Sequence, residues 1–430
     1  MKKLIYITII ILITSFAANR EIYAQNRNAN NTGEITVWSF TDEVETMIFN
    51  YYIKAFPNVK INYSQTSTEK FEERIDSALL SGRSVPDIIT LESFFVRKYV
   101  ESRQLLDITD IYERNKDKLL KYPVEVGTYE GRVYALSWNA CPGAMFYRRS
   151  LAKQYLGSDE PEYVQSYFKD LDTFLKTAEL LKSRSDGKCA VVPGYADIFN
   201  MFLGSRSTPW IVDGKLNIDP NMIKYMDIVK IMHDNRYDAR VGQWSEHWFA
   251  GIRGEIRDEN RKPIEVFSYF LPTWGLQYVL KINANETSGD WAMIQGPAAY
   301  RWGGTWIGAY KDTKNTEQVK QIIEYLTAND NFLEAWARDT GDIVSSFSVM
   351  DRIKDSIKDK TSVKILGGQN HYASFIQMAM NVNGKITQKT DQEIESLFLE
   401  EVTDYIQGNK TKVQALADFR AQAQTILRNQ

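Results

Sequence analysis

An α/β fold in two lobes is what this chain of 430 residues predicts, and three observations carry it. Strand-like and helix-like segments alternate through the first hundred residues. Each of those strands is followed by a helix that can return the chain to lay down a parallel neighbour. The length suffices for two domains of ordinary size, and from about residue 143 the pattern turns mainly helical.

The first 25 residues, MKKLIYITIIILITSFAANREIYAQ, read as a secretory leader. Lys2 and Lys3 form a positive start, and Leu4 to Phe16 an apolar stretch of 13 residues, short for a membrane span. Cleavage fits after Ala17 or Ala24, and residues 1–24 are taken as the signal peptide; an uncleaved anchor is the alternative. No cysteine lies near either site, so no lipid anchor is expected.

After an Asn-rich linker (26–31), EITVWSF (34–40) alternates and reads as a strand. Thr41 is placed to cap a helix running to Phe56, with Val44, Met47, Ile48, Tyr51, Tyr52 and Ala55 on one face and Pro57 ending it. VKINYS (59–64) is a second strand. Thr66 and Glu69 form a capping box ahead of a helix bearing Phe71, Ile75, Ala78 and Leu79. PDIITLE (86–92) is a third strand, followed by a helix from Ser93 to Ser102. In such sheets ligands bind beyond the carboxyl ends of the strands, which points to Trp38–Glu43 and to Glu92–Ser93.

Further on, helices are expected over 166–184 and from Ile223 to Asn235, with an aromatic, irregular stretch at 195–210. Residues 264–282 read as strand then helix, and 290–310 as strand. A helix starts at Asn315 or Thr316, and another runs from Asn331 to Arg338. Thr390 and Glu393 make a capping box for a helix stopped by Gly408, and Thr411 to Arg428 is the last helix.

Composition narrows the function. The 52 basic and 55 acidic residues nearly cancel, which argues against nucleic acid as a partner. The three histidines are far apart, and H-E-x-x-H, C-x-x-C, G-x-S-x-G, the P-loop and G-x-G-x-x-G are all missing, so neither a metal nor a cofactor is expected. A glycosidase carboxylate pair stays open, because only distance in space reveals one. Cys141 and Cys189 permit either a disulfide or two buried thiols. What stands out is aromatic content: 10 Trp, 24 Tyr and 20 Phe, with tryptophans beside Ser, Asn, Asp, Gly or Arg. Indole faces with polar neighbours suit the C–H faces and hydroxyl rims of sugars. Trp244, Trp248, Trp291, Trp306 and Trp336 read as core or rim instead.

The order of several segments resembles the family 1 extracellular solute-binding proteins of ABC transporters, in particular the carbohydrate-binding group. It rests on ITVWSFTDEVE, FPNVKINY, VPDIITLESFFVRKYVESRQLLDIT, EGRVYALSWNACPGAMFYRR, FSYFLPTWG, GDWAMIQGP, GGTWIGAYKDTKN and EEVTDYIQGNKTKVQALADF. The resemblance implies a type II periplasmic-binding-protein-like fold, two α/β lobes joined by crossover strands. The first lobe would be 33–141 plus 297–342, the second 143–292 plus 347–430, with hinges near 140–145, 292–296 and 341–347. It implies a non-enzymatic monomer, periplasmic or otherwise extracytoplasmic, that delivers a carbohydrate to a permease in the inner membrane. A binding protein for another solute and a secreted carbohydrate-active enzyme are the rivals.

The ligand residues it implies are Trp38, Ser39 and Glu43 after the first strand, Glu92 after the third, and Trp138 and Asn139 before the first crossover. Tyr195, Asp197, Trp210, Tyr269 and Trp274 follow in the second lobe, then Arg301, Trp302, Gly303 and Gly304. The glycine pair is read as a gap that lets ligand approach the backbone. GIRGEIRDENRKP (251–263) departs from the resemblance in length and charge.

Overall fold

The computed structural model describes residues 33–257, 261–356 and 360–428. The leader, the Asn-rich linker and part of the 251–263 segment lie outside the described residues. The strands that build the two main sheets are β1 (Ile35–Ser39), β2 (Ile61–Gln65), β3 (Ile88–Glu92), β4 (Ala135–Ser137), β5 (Gly143–Arg148), β6 (Ser268–Pro272), β7 (Trp291–Ile294) and β8 (Thr305–Ala309).

The first sheet has the order β2-β1-β3-β8-β4. β1 pairs in parallel with both β2 and β3, as the strand–helix alternation predicts. β8 returns much later in the chain and pairs antiparallel with β3 and β4. Both faces of this sheet are covered, which is why β3 reads as a continuous apolar run. One face carries Phe71 and Ile75 of Thr68–Ser81 with Val96 and Tyr99 of Val96–Glu101. The other carries Val44, Met47, Ile48 and Tyr52, and the stripe Val319, Ile322, Ile323, Leu326 of Thr316–Ala328.

The second sheet, β6-β5-β7, is antiparallel. Its side chains alternate between two apolar layers, as the period of two requires. Ala144, Phe146, Tyr269, Leu271, Trp291 and Met293 join the layer continuous with the first sheet. Met145, Tyr147, Phe270, Ala292 and Ile294 face the helices Leu171–Arg184, Pro220–Asp234, Asp391–Ile406 and Lys412–Arg428.

Three connecting segments run between the sheets and bond to one another. Ala140 N–H donates to the Ile343 carbonyl at 2.7 Å, Ser345 N–H to Trp138 at 2.8 Å, Gly143 N–H to Tyr300 at 2.7 Å, and Trp302 N–H to Cys141 at 3.1 Å. The second connection is therefore held at 300–302, downstream of the 292–296 expected, because 291–294 is occupied by pairing with β5.

Local expectations needed correction at three helix starts. Ser67 stands at the N-cap of Thr68–Ser81 with no side-chain bond, and the Thr66 hydroxyl accepts from Arg74 at 2.6 Å instead. Thr390 is an N-cap without a cap bond. The helix after β1 begins at Glu43, and Ile48–Tyr52 forms a π turn. Beyond the buried Tyr52, that extra residue turns Ala55 out to solvent, off the stripe a 3.6 period predicts.

Cys141 and Cys189 are both free and buried. Burial pushes both thiols above their ordinary range. Ellman's reagent should therefore label no thiol of the native protein within minutes and two after denaturation. Rapid native labelling of either would contradict this packing.

Candidate functional site

The carboxyl ends of β1 and β3 open onto a cavity of about 440 Å³. Thr41, Asp42 and Glu43 enter it from the loop after β1, and Glu92 and Phe94 from the end of β3. Asn139, Gly303, Gly304 and Asp342 come from the connecting segments, and Trp274, Gln277 and Tyr278 from the helical turn after β6. A smaller cavity of about 70 Å³ shares Phe94, Trp302 and Gly303 as a wall and is lined beyond it by Arg206, Arg301 and Glu395.

Of the residues singled out from the sequence, Glu43, Glu92, Asn139, Trp274, Trp302, Gly303 and Gly304 meet around the larger cavity. Arg301 lines the smaller one and donates to the Thr387 hydroxyl at 3.1 Å. The others lie elsewhere. Trp38 is half-buried under the Arg74 guanidinium, 3.6 Å from the ring centre. Ser39 is buried and ties the loop, donating to the Thr41 carbonyl at 2.8 Å. Trp138 is wholly buried in the core. Asp197 accepts from the Trp248 indole at 2.7 Å and from Gly194 N–H at 3.1 Å, so it holds the backbone together. Tyr195 is half-buried, with its hydroxyl 3.1 Å from that of Thr403. Trp210 packs on Phe398 and Phe419 in the second core. Tyr269 sits on the inward side of β6, its hydroxyl donating to the Trp248 carbonyl at 2.9 Å. Trp138, Asp197, Trp210 and Tyr269 are thus core residues, placed there by strand alternation and helix packing, and do not reach the cavity.

The glycine pair has a different reason from the one expected. Gly303 and Gly304 have φ of +82° and +116°. A Cβ on Gly303 would lie 2.7 Å from the Trp274 indole nitrogen, and one on Gly304 3.0 Å from the Trp306 ring. The space is taken by the protein's own indoles. Trp274 donates to the Trp302 carbonyl at 2.9 Å and meets that ring edge-on at 5.2 Å.

Sequence reading missed Tyr278, Phe94 and Asp342, and Trp244, read as core or rim, backs the cavity's indoles. Trp244 is 43% exposed and stacks on Trp274 at 6.1 Å, with Trp302 at 5.7 Å and Trp248 at 4.9 Å. A signal was present: Trp244 precedes the N-cap Ser245 and touches Phe249, the N′-to-N4 contact of a hydrophobic staple. Tyr278 lies within a π turn, Leu276–Leu280, that breaks the 3.6 spacing.

The cavity's carboxylates are electrostatically loaded. Burial, then the charges of Asp342 and Asp42, push Glu43 from 4.5 up to about 7. Burial lifts Asp342 to about 6, against the hydrogen bonds from the Trp336 indole (3.2 Å) and Ile343 N–H (2.9 Å). Burial also raises Glu92, opposed by Phe94 N–H at 2.7 Å and the Ser93 hydroxyl at 2.8 Å. Among the described residues, no His, Cys, Asp or Glu group is arranged to hold a metal ion, and no helix is long and apolar enough to cross a membrane.

Two outcomes follow from this geometry. Gly303→Ala should destabilise the fold by about 1–3 kcal/mol, combining left-handed strain with the indole clash. Gly131→Ala, at φ +76° with open space around it, should cost only about 1 kcal/mol; equal losses in urea melts would refute the clash. A carboxyl raised on folding stabilises below its unfolded value, and that stability is lost as pH rises through the folded value. The Tm difference between the wild type and Glu43→Gln should therefore shift against the wild type between pH 4.5 and about 7.

Comparison with known proteins gives the family and the fold. The family described as "Bacterial extracellular solute-binding protein" matches residues 48–364. A lactose-binding protein of Rhizobium radiobacter is 23% identical over 199 residues, 44% of this chain and 46% of that protein. An arabinooligosaccharide-binding protein of Bacillus subtilis is 22% identical over 163 residues, 36% and 37% of the two chains. The chain thus spans less than half the length of the curated relatives it matches. A crystal structure of an extracellular solute-binding protein of family 1 superposes with a TM-score of 0.81 at 18% identity, covering 92% of this chain and 99% of the other. That likeness establishes the two-lobed, periplasmic-binding-protein-like fold.

Proposed function

The chain belongs to the bacterial extracellular solute-binding protein family, and from that premise we propose that it captures a sugar, an oligosaccharide, and delivers it to the permease of an ABC transporter. The observation that carries this reading is the wall of the larger cavity, where Trp274 and Trp302 stand beside the Asn139 amide and the Glu43 and Glu92 carboxylates. A pyranose ring laid on an indole leaves its hydroxyls at the rim, within reach of such acceptors and donors. Two or three aromatic contacts at roughly 0.5–1.5 kcal/mol and several hydrogen bonds at about 1 kcal/mol net approach the roughly −8 kcal/mol of micromolar binding. The relatives named for lactose and arabino-oligosaccharides support the same solute class.

On this reading the ligand residues are Glu43, Glu92, Asn139, Trp274 and Trp302, with Tyr278 and Asp342 added, and Gly303 and Gly304 seat the indoles. The lobes close about the ribbon of connecting segments. Ligand shifts the open–closed equilibrium by its differential affinity for the closed form, which the permease then reads. The leader at 1–24 exports the chain, which acts as a monomer and as a carrier rather than an enzyme.

Thermal-shift screening of the full chain against a carbohydrate library should find oligosaccharides that raise Tm. Incubation with the best of them should release no product. Trp274→Ala should weaken that ligand severalfold or more by calorimetry while the protein still melts cooperatively. A library without a single stabilising saccharide would overturn the proposal, and turnover would replace the carrier with an enzyme.

A further inference from the structure

The larger cavity is acidic to a degree that hydroxyl recognition does not require. Asp42, Glu43, Glu92 and Asp342 all line it, while no Lys or Arg does among the described residues. Its one basic side chain is His371, buried to 1% exposure. The Arg301 guanidinium lowers the affinity of Glu92 for protons, yet it lines the smaller cavity and donates to the Thr387 hydroxyl.

Carboxylates on an open surface are solvated and signify little. Asp42 is exposed at the rim, but Glu43, Glu92 and Asp342 stand in a cavity walled by Phe94, Trp274, Tyr278 and Trp302, and one of them is poorly bonded. Glu43 accepts from the Thr41 and Tyr278 hydroxyls, each at 3.5 Å, a distance at which a hydrogen bond contributes little. Its partners across the cavity are negative or aromatic: Asp342 repels it, and Tyr278 and Trp274 present rings. A group that is positive, donates hydrogen bonds and tolerates an aromatic face completes such a corner. An alkylammonium does all three, through charge-assisted bonds to the carboxylates and attraction to the ring faces. A neutral hydroxyl supplies one proton and leaves the repulsion between Glu43 and Asp342 in place.

We propose that the solute of this cavity carries a protonated amine, seated between Glu43, Asp42 and Asp342 beside Tyr278 and Trp274. Resting on the sugar-binding reading, this makes the ligand an amino saccharide with a free amine rather than an acylated one. A linear aliphatic polyamine offers the same ammonium, and the experiment separates the two.

The test is calorimetric titration of the full chain at pH 7 with matched probes. These are glucosamine and galactosamine oligosaccharides, their N-acetylated counterparts, the corresponding neutral oligosaccharides, and spermidine. At least one free-amine saccharide should bind tenfold or more tighter than its acetylated and neutral counterparts. Glu43→Gln, with Asp42→Asn as a second variant at an exposed position, should shrink that preference to within threefold while Tm confirms folding. Spermidine binding tightly, with the same dependence on Glu43 and with no saccharide bound, would keep the amine and overturn the sugar-binding reading. Neutral or acetylated saccharides binding as tightly as the amines would overturn this inference and leave that reading standing. So would a preference unchanged in both variants, or no binding by any amine.

Discussion

Three backbone segments that bridge the two sheets bond to each other, and the cavity inherits its geometry from that ribbon. The strands β4 and β5 are consecutive in the chain but belong to different sheets. The stretch between them is held by Ile343 on one side and by Tyr300 and Trp302 on the other. Asn139 is thereby fixed at the cavity floor, where its side-chain oxygen accepts from Thr305 N–H at 3.2 Å and from the Ser137 hydroxyl at 3.0 Å. Gly303 and Asp342 are fixed by the same ribbon, one residue beyond its bonds. A backbone ribbon of this kind resists shear but bends, which suits a joint between two rigid sheets.

The cavity also illustrates a cost that proteins concentrate at sites of function. Charged groups in a low-dielectric wall are destabilising unless paired. Asp342 has partners in Trp336 and Ile343, and Glu92 has Ser93 and Phe94, so their carboxylates are held by the protein itself. Glu43 is held by much less. Perturbed groups in a cleft are a physical marker of function, because stability alone would remove them.

Much of the architecture was legible. The first three strands and their helices are set by alternation and by the 3.6 period, and those patterns survive folding because each element buries one face. The carboxyl-end rule placed Glu43 and Glu92 at the cavity on topology alone. What failed did so for identifiable reasons. Tyr269 lies one residue from Phe270 and Ser268, and which face of β6 meets a core depends on both neighbouring layers, which a single strand does not reveal. Trp210 sits in an irregular stretch whose neighbours, Phe398 and Phe419, are nearly two hundred residues away in sequence. Tyr278 was hidden by a π turn, since a face computed at 3.6 residues per turn loses register there. The glycine pair was noticed for its missing side chains and assigned the wrong neighbour. Its close approach is made by indoles from the chain itself.

The packed indoles have an optical consequence. Trp244, Trp248, Trp274 and Trp302 form a chain of rings with successive centroids 4.9 to 6.1 Å apart. At such separations their electronic transitions couple, and the near-ultraviolet circular dichroism of the chain carries the handedness of their arrangement. Trp274 belongs to the element after β6 and Trp302 to the ribbon, so a small rotation of one against the other changes that signal. The molecule thus contains its own chromophoric gauge of how that element sits against the ribbon, readable without a label.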